Sequence, residues 1–532
     1  MKKKRLLIWA ISSALAGFLF GFDTVVISGA EKEIQNLWVL SGSMHGLALS
    51  SALWGTVLGA FIGGIPTHKW GRKKVLIFNG VLFFVSAIGS GIAWNVSSFI
   101  AARFIGGVGV GISTIAAPLF IAEISPAKDR GKLGGLFQFN IVFGILCAYL
   151  SNDLIGNLCD IGIGWRWMLG VEAIPAFVYT VMCFALPESP RWLIVDAKRP
   201  KEGEKVFRQI HPEMCEADLH ELVESIKSTR ISQQCPRKFW TKRMRIPILS
   251  AFLIALFNQT SGINVILYFA PRLLNLAGME NALAGSIAIG VTNLIFTFVG
   301  LYFIDKIGRR ALLAIGSAGC VLSLGVCALT FFCFPEFKVV SAAIDTLTSS
   351  EQIIRMDQDA GYYNESDKKQ IKSDYRDALK ELSTATYAPK YSGERYAFSG
   401  QIPAEMAKNI AATAKKQATE KLGSVSLVVL LCIIVFIAAY AVGSGTVIWV
   451  FIAEIFPKDQ RAAGQSFGSS CHWICAALLT LAFPIAIKEF DAGYMFAFFC
   501  FMMILQLIWA KTIMPEPNGR SLEQIDNDLD PA

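Results

Sequence analysis

The residue most suited to chemistry in this chain is a carboxylate in an apolar setting. Asp23 stands in Phe20-Gly21-Phe22-Asp23-Thr24-Val25-Val26-Ile27-Ser28-Gly29, inside a run from 6 to 29 that is otherwise uncharged. That run is long enough to cross a bilayer, for which ~20 apolar residues suffice. An ionised carboxylate facing lipid is strongly unfavourable, so Asp23 must face protein or water, where such groups couple protons or ions. Arg103 opens the fourth apolar run and is its expected partner. A nearby guanidinium favours the charged carboxylate and burial favours the protonated one. A carboxylate that exchanges an arginine for a proton would tie conformation to protonation; a static buried ion pair is the plain alternative. Neutral amides recur in these runs, above all Asn258, Gln259 and Asn264. They need partners, either on neighbouring helices or on a polar ligand. His472 adds an imidazole that donates, accepts or titrates near neutral pH.

The elements that position these groups are membrane helices. Of the 532 residues 54% are hydrophobic and 17% charged, with mean hydropathy +0.49. That excludes an ordinary soluble domain. Apolar runs of spanning length fall near 6–29, 46–67, 75–95, 99–122, 133–154, 166–186, 247–273, 283–304, 311–334, 425–451, 462–487 and 492–514. They predict an all-α membrane protein with twelve transmembrane helices, because helices satisfy their own backbone groups in lipid and no alternating barrel pattern occurs. The net charge of +8 gathers in short loops, at Lys2-Lys3-Lys4-Arg5, Lys69 to Lys74 and Arg309-Arg310. It is therefore a topology signal, with these loops and both termini cytoplasmic, and not a nucleic-acid footprint. The first run has no small-residue cleavage site and reads as a mature helix rather than a signal peptide. Most of the twelve cysteines lie in apolar runs, and none shows metal-ligand spacing.

The second half repeats the first. Ala122-Glu123-Ile124-Ser125-Pro126 with Arg130 returns as Ala453-Glu454-Ile455-Phe456-Pro457 with Arg461. Gly71-Arg72-Lys73-Lys74 returns as Gly308-Arg309-Arg310, and Pro187-Glu188-Ser189-Pro190-Arg191 loosely as Pro515-Glu516-Pro517-Asn518-Gly519-Arg520. Parallel six-helix repeats with a site at their midplane interface are a transporter arrangement. The expected organisation is a first bundle over 1–187 and a cytoplasmic helical linker over 188–245. Spans seven to nine follow over 246–335, an extracytoplasmic insert over 336–424, spans ten to twelve over 425–514 and a cytoplasmic tail over 515–532. Pro212 to Thr229 in the linker reads as helical, as do Glu365 to Leu382 and Ala404 to Leu422 in the insert. The insert is either an external cap without transport chemistry or a surface for an envelope partner.

Ordered motifs run through both halves: Gly64 with Gly71 to Lys74, Arg103 to Gly111, Glu123 with Arg130, and Pro187 to Trp192. Gln259 to Asn264, Asp305 with Gly308 to Arg310, and Glu454 with Arg461 complete the set. In these the chain resembles the sugar porter family of the major facilitator superfamily, over nearly its whole length except 336–424. Asp23 stands where animal glucose facilitators of the family carry Asn, so bacterial xylose–proton symporters are the most similar member type. The resemblance implies the major facilitator fold, two pseudo-symmetric six-helix bundles, and proton-coupled symport of a monosaccharide such as xylose, glucose or galactose by alternating access. A uniport facilitator of the same fold, or a membrane sugar sensor, is the alternative. A sensor would usually need an output tail, and only a short segment follows Pro515.

A pyranose presents hydroxyls that donate and accept, around apolar C–H faces, and amides with aromatics match that pattern. The resemblance carries such a site onto Gln138, Asn258, Gln259, Asn264 and Asn293 for hydroxyls. Phe20, Tyr268, Trp449 and Trp473 serve the faces, Gly445 and His472 stand beside them, and Asp23 with Arg103 serve proton coupling. Departures leave the particular sugar open. His68-Lys69 replaces Asp-Arg, Asn258-Gln259 replaces paired glutamines, Gly445-Thr446 replaces Gly-Pro, and His472 replaces an amide. His472 reads either as a sugar contact or as a helix–helix contact. Arg72, Glu123, Arg130, Glu188, Arg191, Arg309, Glu454 and Arg461 lie at helix ends on one side. Ion pairs among them can latch the halves and part as the cavity opens inwards, while the cations also serve topology. The glycines from Gly106 to Gly111 suit close helix packing, and no strand precedes them as a dinucleotide loop requires. No enzyme, metal or cofactor is expected beyond the coupling proton. The expected setting is a lipid bilayer, the inner or plasma membrane of a bacterial cell, with the chain monomeric.

Overall fold

The computed structural model describes residues 2–516 apart from 127–129, 160–161, 211–214, 217–218, 225, 227–238, 243, 280, 359–362, 364, 387–401 and 458–459. Among them twelve helices are long and apolar enough to cross a membrane. Spans one to six are Arg5–Leu37, Gly42–Ile62, Arg72–Gly91, Val96–Ile124, Leu133–Leu158 and Gly164–Phe184. Spans seven to twelve are Arg245–Tyr268, Ala282–Ile307, Arg309–Cys333, Val425–Ile455, Ala463–Glu489 and Ala492–Thr512. Phe177, Leu322 and Leu427 turn outwards with 58%, 67% and 61% of their surface exposed. A band of such residues is tolerable only against lipid. The chain is an integral, multi-pass membrane protein.

Lipid supplies little hydrophobic drive between helices, so close packing through small residues takes its place. Spans two and four show this best: a Cβ on Gly107 would lie 1.8 Å from the Ala52 carbonyl oxygen. The two halves meet where span one packs on span seven, two on eleven, and five on eight. Tyr149 Oη donates to the Leu267 carbonyl at 2.8 Å, and Gly46 lies against the Leu481 carbonyl.

Two spans are interrupted partway along their length. Span seven is divided into Arg245–Thr260, Ile263–Tyr268 and Ala270–Leu276. Gly262 makes the first break at φ +86°, and a Cβ there would sit 2.5 Å from the Phe499 ring. Span ten widens for one turn over Ala441–Gly445, a feature that recurs at functional sites. Thr446 then donates its hydroxyl to the Ala441 carbonyl at 2.6 Å, a bond that a proline at this position could not make.

The insert contributes Glu365–Thr386 and Ala404–Leu422, as its composition indicates, and also Glu336–Gln358. This additional helix follows a break at Phe334-Pro335 and buries Phe337, Val340 and Ala343. Its Lys338 pairs with Asp491 at 2.8 Å, and Asp374 of the next helix takes Lys488 at 3.1 Å. The insert is thus fastened to the ends of spans eleven and twelve. In the linker, Pro190–Val195 and Pro200–Ile210 are helical, and much of Pro212 to Thr229 lies outside the described residues. Phe239 packs on Phe456 with ring centroids 5.8 Å apart, tying the linker to the second half.

Candidate functional site

The interruption of span seven brings its amides to the boundary between the halves. Gln259 uses every polar group it has. Its Nε2 donates to Asn258 Oδ1 at 3.0 Å and lies 3.0 Å from His472 Nε2, while its Oε1 accepts from Asn264 Nδ2 at 2.6 Å. Asn258 Nδ2 donates to the Ser444 carbonyl at 3.3 Å, within the widened turn that ends at Gly445, and Asn258 Oδ1 accepts from Tyr440 Oη at 3.2 Å. Asn258, Gln259 and His472 are all buried. A hydroxylated ligand entering here must exchange these bonds one for one, as only a molecule rich in paired donors and acceptors can.

Aromatic rings flank the amides. His472 lies 4.8 Å, centroid to centroid, from both Trp449 and Trp473, and Trp473 lies 5.6 Å from Phe20 of the other half. Trp473 Nε1 is buried without a partner among the described residues, a donor left for a ligand. The arrangement therefore joins Phe20, Asn258, Gln259, Asn264, Gly445, Trp449, His472 and Trp473. Asn293 is buried on span eight and Gln138 half-buried on span five, and neither makes a hydrogen bond among the described residues.

Asp23 and Arg103 form the expected pair. Arg103 Nη1 donates to Asp23 Oδ1 at 2.5 Å and Nη2 to the Asp23 carbonyl at 2.9 Å, with both side chains buried. A third group, unforeseen from the sequence, completes the cluster. Glu172 of span six is buried within electrostatic reach of both, and its Oε1 has no hydrogen-bond partner among the described residues. Its signal was the one that marks Asp23, a lone carboxylate in an apolar run. Tyr268, placed by resemblance on a sugar face, is buried within electrostatic range of Asp23 and Arg103. It connects the charged cluster of the first half with the broken span of the second.

The duplicated motifs make duplicated geometry at the basic face. Arg72 Nε and Nη2 grip Glu123 at 2.9 and 2.8 Å, and Arg309 grips Glu454 in the same way at 2.9 and 2.9 Å. Glu188 accepts the backbone N–H groups of Arg72 and Lys73 that open span three, and Glu516 accepts those of Arg309 and Arg310 that open span nine. Burial pushes the Glu188 carboxyl above its usual range, against the backbone donors that favour its charge. Asp305 stands 3.0 Å from Arg309, while the corresponding first-half position holds His68. Asp196 of the linker supplies the carboxylate there instead, 3.5 Å from Arg72. The Arg72–Glu123 and Arg309–Glu454 pairs each lie inside one half, so they tie helices within a bundle rather than latching one bundle to the other. Arg191 is exposed and makes no ion pair among the described residues. The side chains of Arg130 and Arg461 lie outside the described set.

Comparison with known proteins gives a consistent answer. The model of the "Sugar (and other) transporter" family matches residues 9–347 and 401–529. The chain is 28% identical to an arabinose-proton symporter of Bacillus subtilis, over 97% of this chain and 93% of that one. It is 27% identical to a D-xylose-proton symporter of Escherichia coli, over 97% and 94%. Among solved structures it superposes on the E. coli xylose transporter XylE, partially occluded and inward-open, with TM-score 0.72 and 26% identity over 97% of this chain and 99% of that one.

Proposed function

This chain belongs to the sugar transporter family, and we propose that it carries a monosaccharide, a pentose or hexose such as xylose, glucose or galactose, together with a proton by alternating access. The observation that carries this reading is the adjacency, through Tyr268, of a buried Asp23–Arg103–Glu172 cluster and an amide–aromatic site between two repeated bundles. Two carboxylates and one guanidinium leave excess negative charge in a buried place, and a proton can cancel it. A sugar that displaces the Gln259 network shifts the broken part of span seven, which carries Tyr268 back to the charged cluster. Binding and protonation then favour the same change of shape. The proton is the coupling ion and no other cofactor enters.

The basic loops supply the orientation. The termini and the Arg72 and Arg309 ends face the cytoplasm, the insert faces outwards, and the membrane is the inner or plasma membrane. The chain works as a monomer, since the site lies between its own two halves. The closed state at the insert side is then the inward-facing one.

Uptake of radiolabelled sugars by proteoliposomes tests the reading. One of xylose, glucose, galactose or arabinose should accumulate above equilibrium when protons run inwards, and a protonophore should abolish the accumulation. Equilibration without accumulation would make the protein a uniporter, and binding without uptake a sensor.

A further inference from the structure

Above the closed outer ends of the two halves, the insert covers a cavity of about 220 Å³. Its wall combines Gln35 at the end of span one, Arg272 beyond span seven, Lys488 at the end of span eleven, and Asp345, Gln352 and Asp374 from the first two insert helices. Both halves and the insert therefore contribute to one polar chamber on the route between the outside and the central site.

Asp345 sets this chamber apart. Its neighbours are engaged: Arg272 with Glu31 and Gln35, and Asp374 with Lys488 and Gln370. The Asp345 side chain is exposed at the chamber wall, and its carboxylate makes no hydrogen bond or ion pair with the described residues. Arg272, Lys32 and Lys488 lie within electrostatic reach of it. A carboxylate open to the chamber and not engaged by the protein can accept from ligand hydroxyls in place of water. Four carboxylates and three cations line the wall, so neither a free anion nor a free cation is strongly drawn in. The amides of Gln35 and Gln352 both donate and accept. That chemistry fits a small neutral polyol.

We propose that this chamber is a second monosaccharide site, in which Asp345 accepts hydrogen bonds from sugar hydroxyls before or after the sugar occupies the Gln259 site. The proposal rests on the sugar-transport reading above. Equilibrium binding of radiolabelled xylose, glucose, galactose and arabinose to the purified full chain counts the sites. The expected result is two sugars per chain for whichever sugar binds. Asp345→Ala, and independently Gln352→Ala, should weaken one of the two by tenfold or more while the other stays, and Gln259→Ala should do the reverse. A single site, abolished by Gln259→Ala and untouched by both insert variants, overturns the chamber and leaves the transport reading standing. No binding of any of the four sugars to the wild type removes both.

Discussion

Asp23 and Glu172 lie within electrostatic reach of one guanidinium, and Arg103 Nη1 engages Asp23 at 2.5 Å. Asp23→Asn keeps the shape and removes the titratable group. Gradient-driven accumulation should disappear while sugar exchange stays measurable; uphill accumulation by this variant at the wild-type level would exclude Asp23 as the coupling group. In the sugar site, Gln259→Ala strips a buried partner from Asn258, Asn264 and His472 as well as from the ligand. It should weaken sugar binding by ~1–3 kcal/mol. Trp449→Ala should weaken it too, through lost ring packing. Unchanged affinity in both would remove the assignment. His472→Gln keeps a donor and an acceptor next to Gln259, so activity should persist with an altered preference between pentoses and hexoses in competition binding. These residues were legible because a polar side chain in an apolar run must find a partner. Glu172 carries the same signal, a carboxylate inside the apolar run 166–186.

Helix number and order were legible from apolar runs, since in lipid a run of that length has few alternatives to a helix. The interruptions were not, because Ser261-Gly262 and Val442-Gly443-Ser444-Gly445 lie inside runs of spanning length, and polar or glycine residues there do not by themselves show where a helix opens. Gly262 is the position where conformation decides. A Cβ at φ +86° would also strike the Phe499 ring at 2.5 Å. Gly262→Ala should destabilise the fold by ~1–2 kcal/mol or more from the left-handed backbone alone, read as a lower unfolding temperature in detergent. The Glu188 and Glu516 caps repeat one device at the start of spans three and nine. Glu188→Ala and Glu516→Ala should each lower stability by ~1–3 kcal/mol, because backbone donors at a helix start lose a charged acceptor. A loss at one site without the other would show that the repeated geometry does not carry equal weight. The first insert helix, Glu336–Gln358, was not legible because its apolar positions are interspersed with Ser, Thr and charged neighbours.

At the scale of the whole molecule, transport requires the outer closure to break, and the charges that hold it lie in consecutive residues at the end of span one. Glu31 is buried, 3.2 Å from His45 Nε2 of its own half and 3.5 Å from Arg272 Nη1 of the other. Lys32 lies within electrostatic reach of Asp345, and Glu33 of Arg355, both on the insert helix Glu336–Gln358. The insert is thus coupled by charge to the end of span one. When the halves part at this face, Glu31 and Arg272 both regain water, so the pair favours the closed state without being needed for folding. Removing Glu31 leaves Arg272 with Gln35 as its partner, and removing Arg272 leaves Glu31 with His45, in the closed state alone. For a fully buried pair that loss runs to ~3–5 kcal/mol. Arg272 keeps 23% of its side chain exposed, so ~1–2 kcal/mol is the realistic scale once solvent screening is allowed for. Glu31→Gln should thus move the equilibrium towards the outward-open state by roughly tenfold. Hydrogen exchange along 31–37 and 272–276 should rise in step, and Arg272→Gln should do the same. The double variant should add little to either, because each single change already breaks the same contact. Additive effects, or exchange unchanged from the wild type in both single variants, would separate this ion pair from the gate.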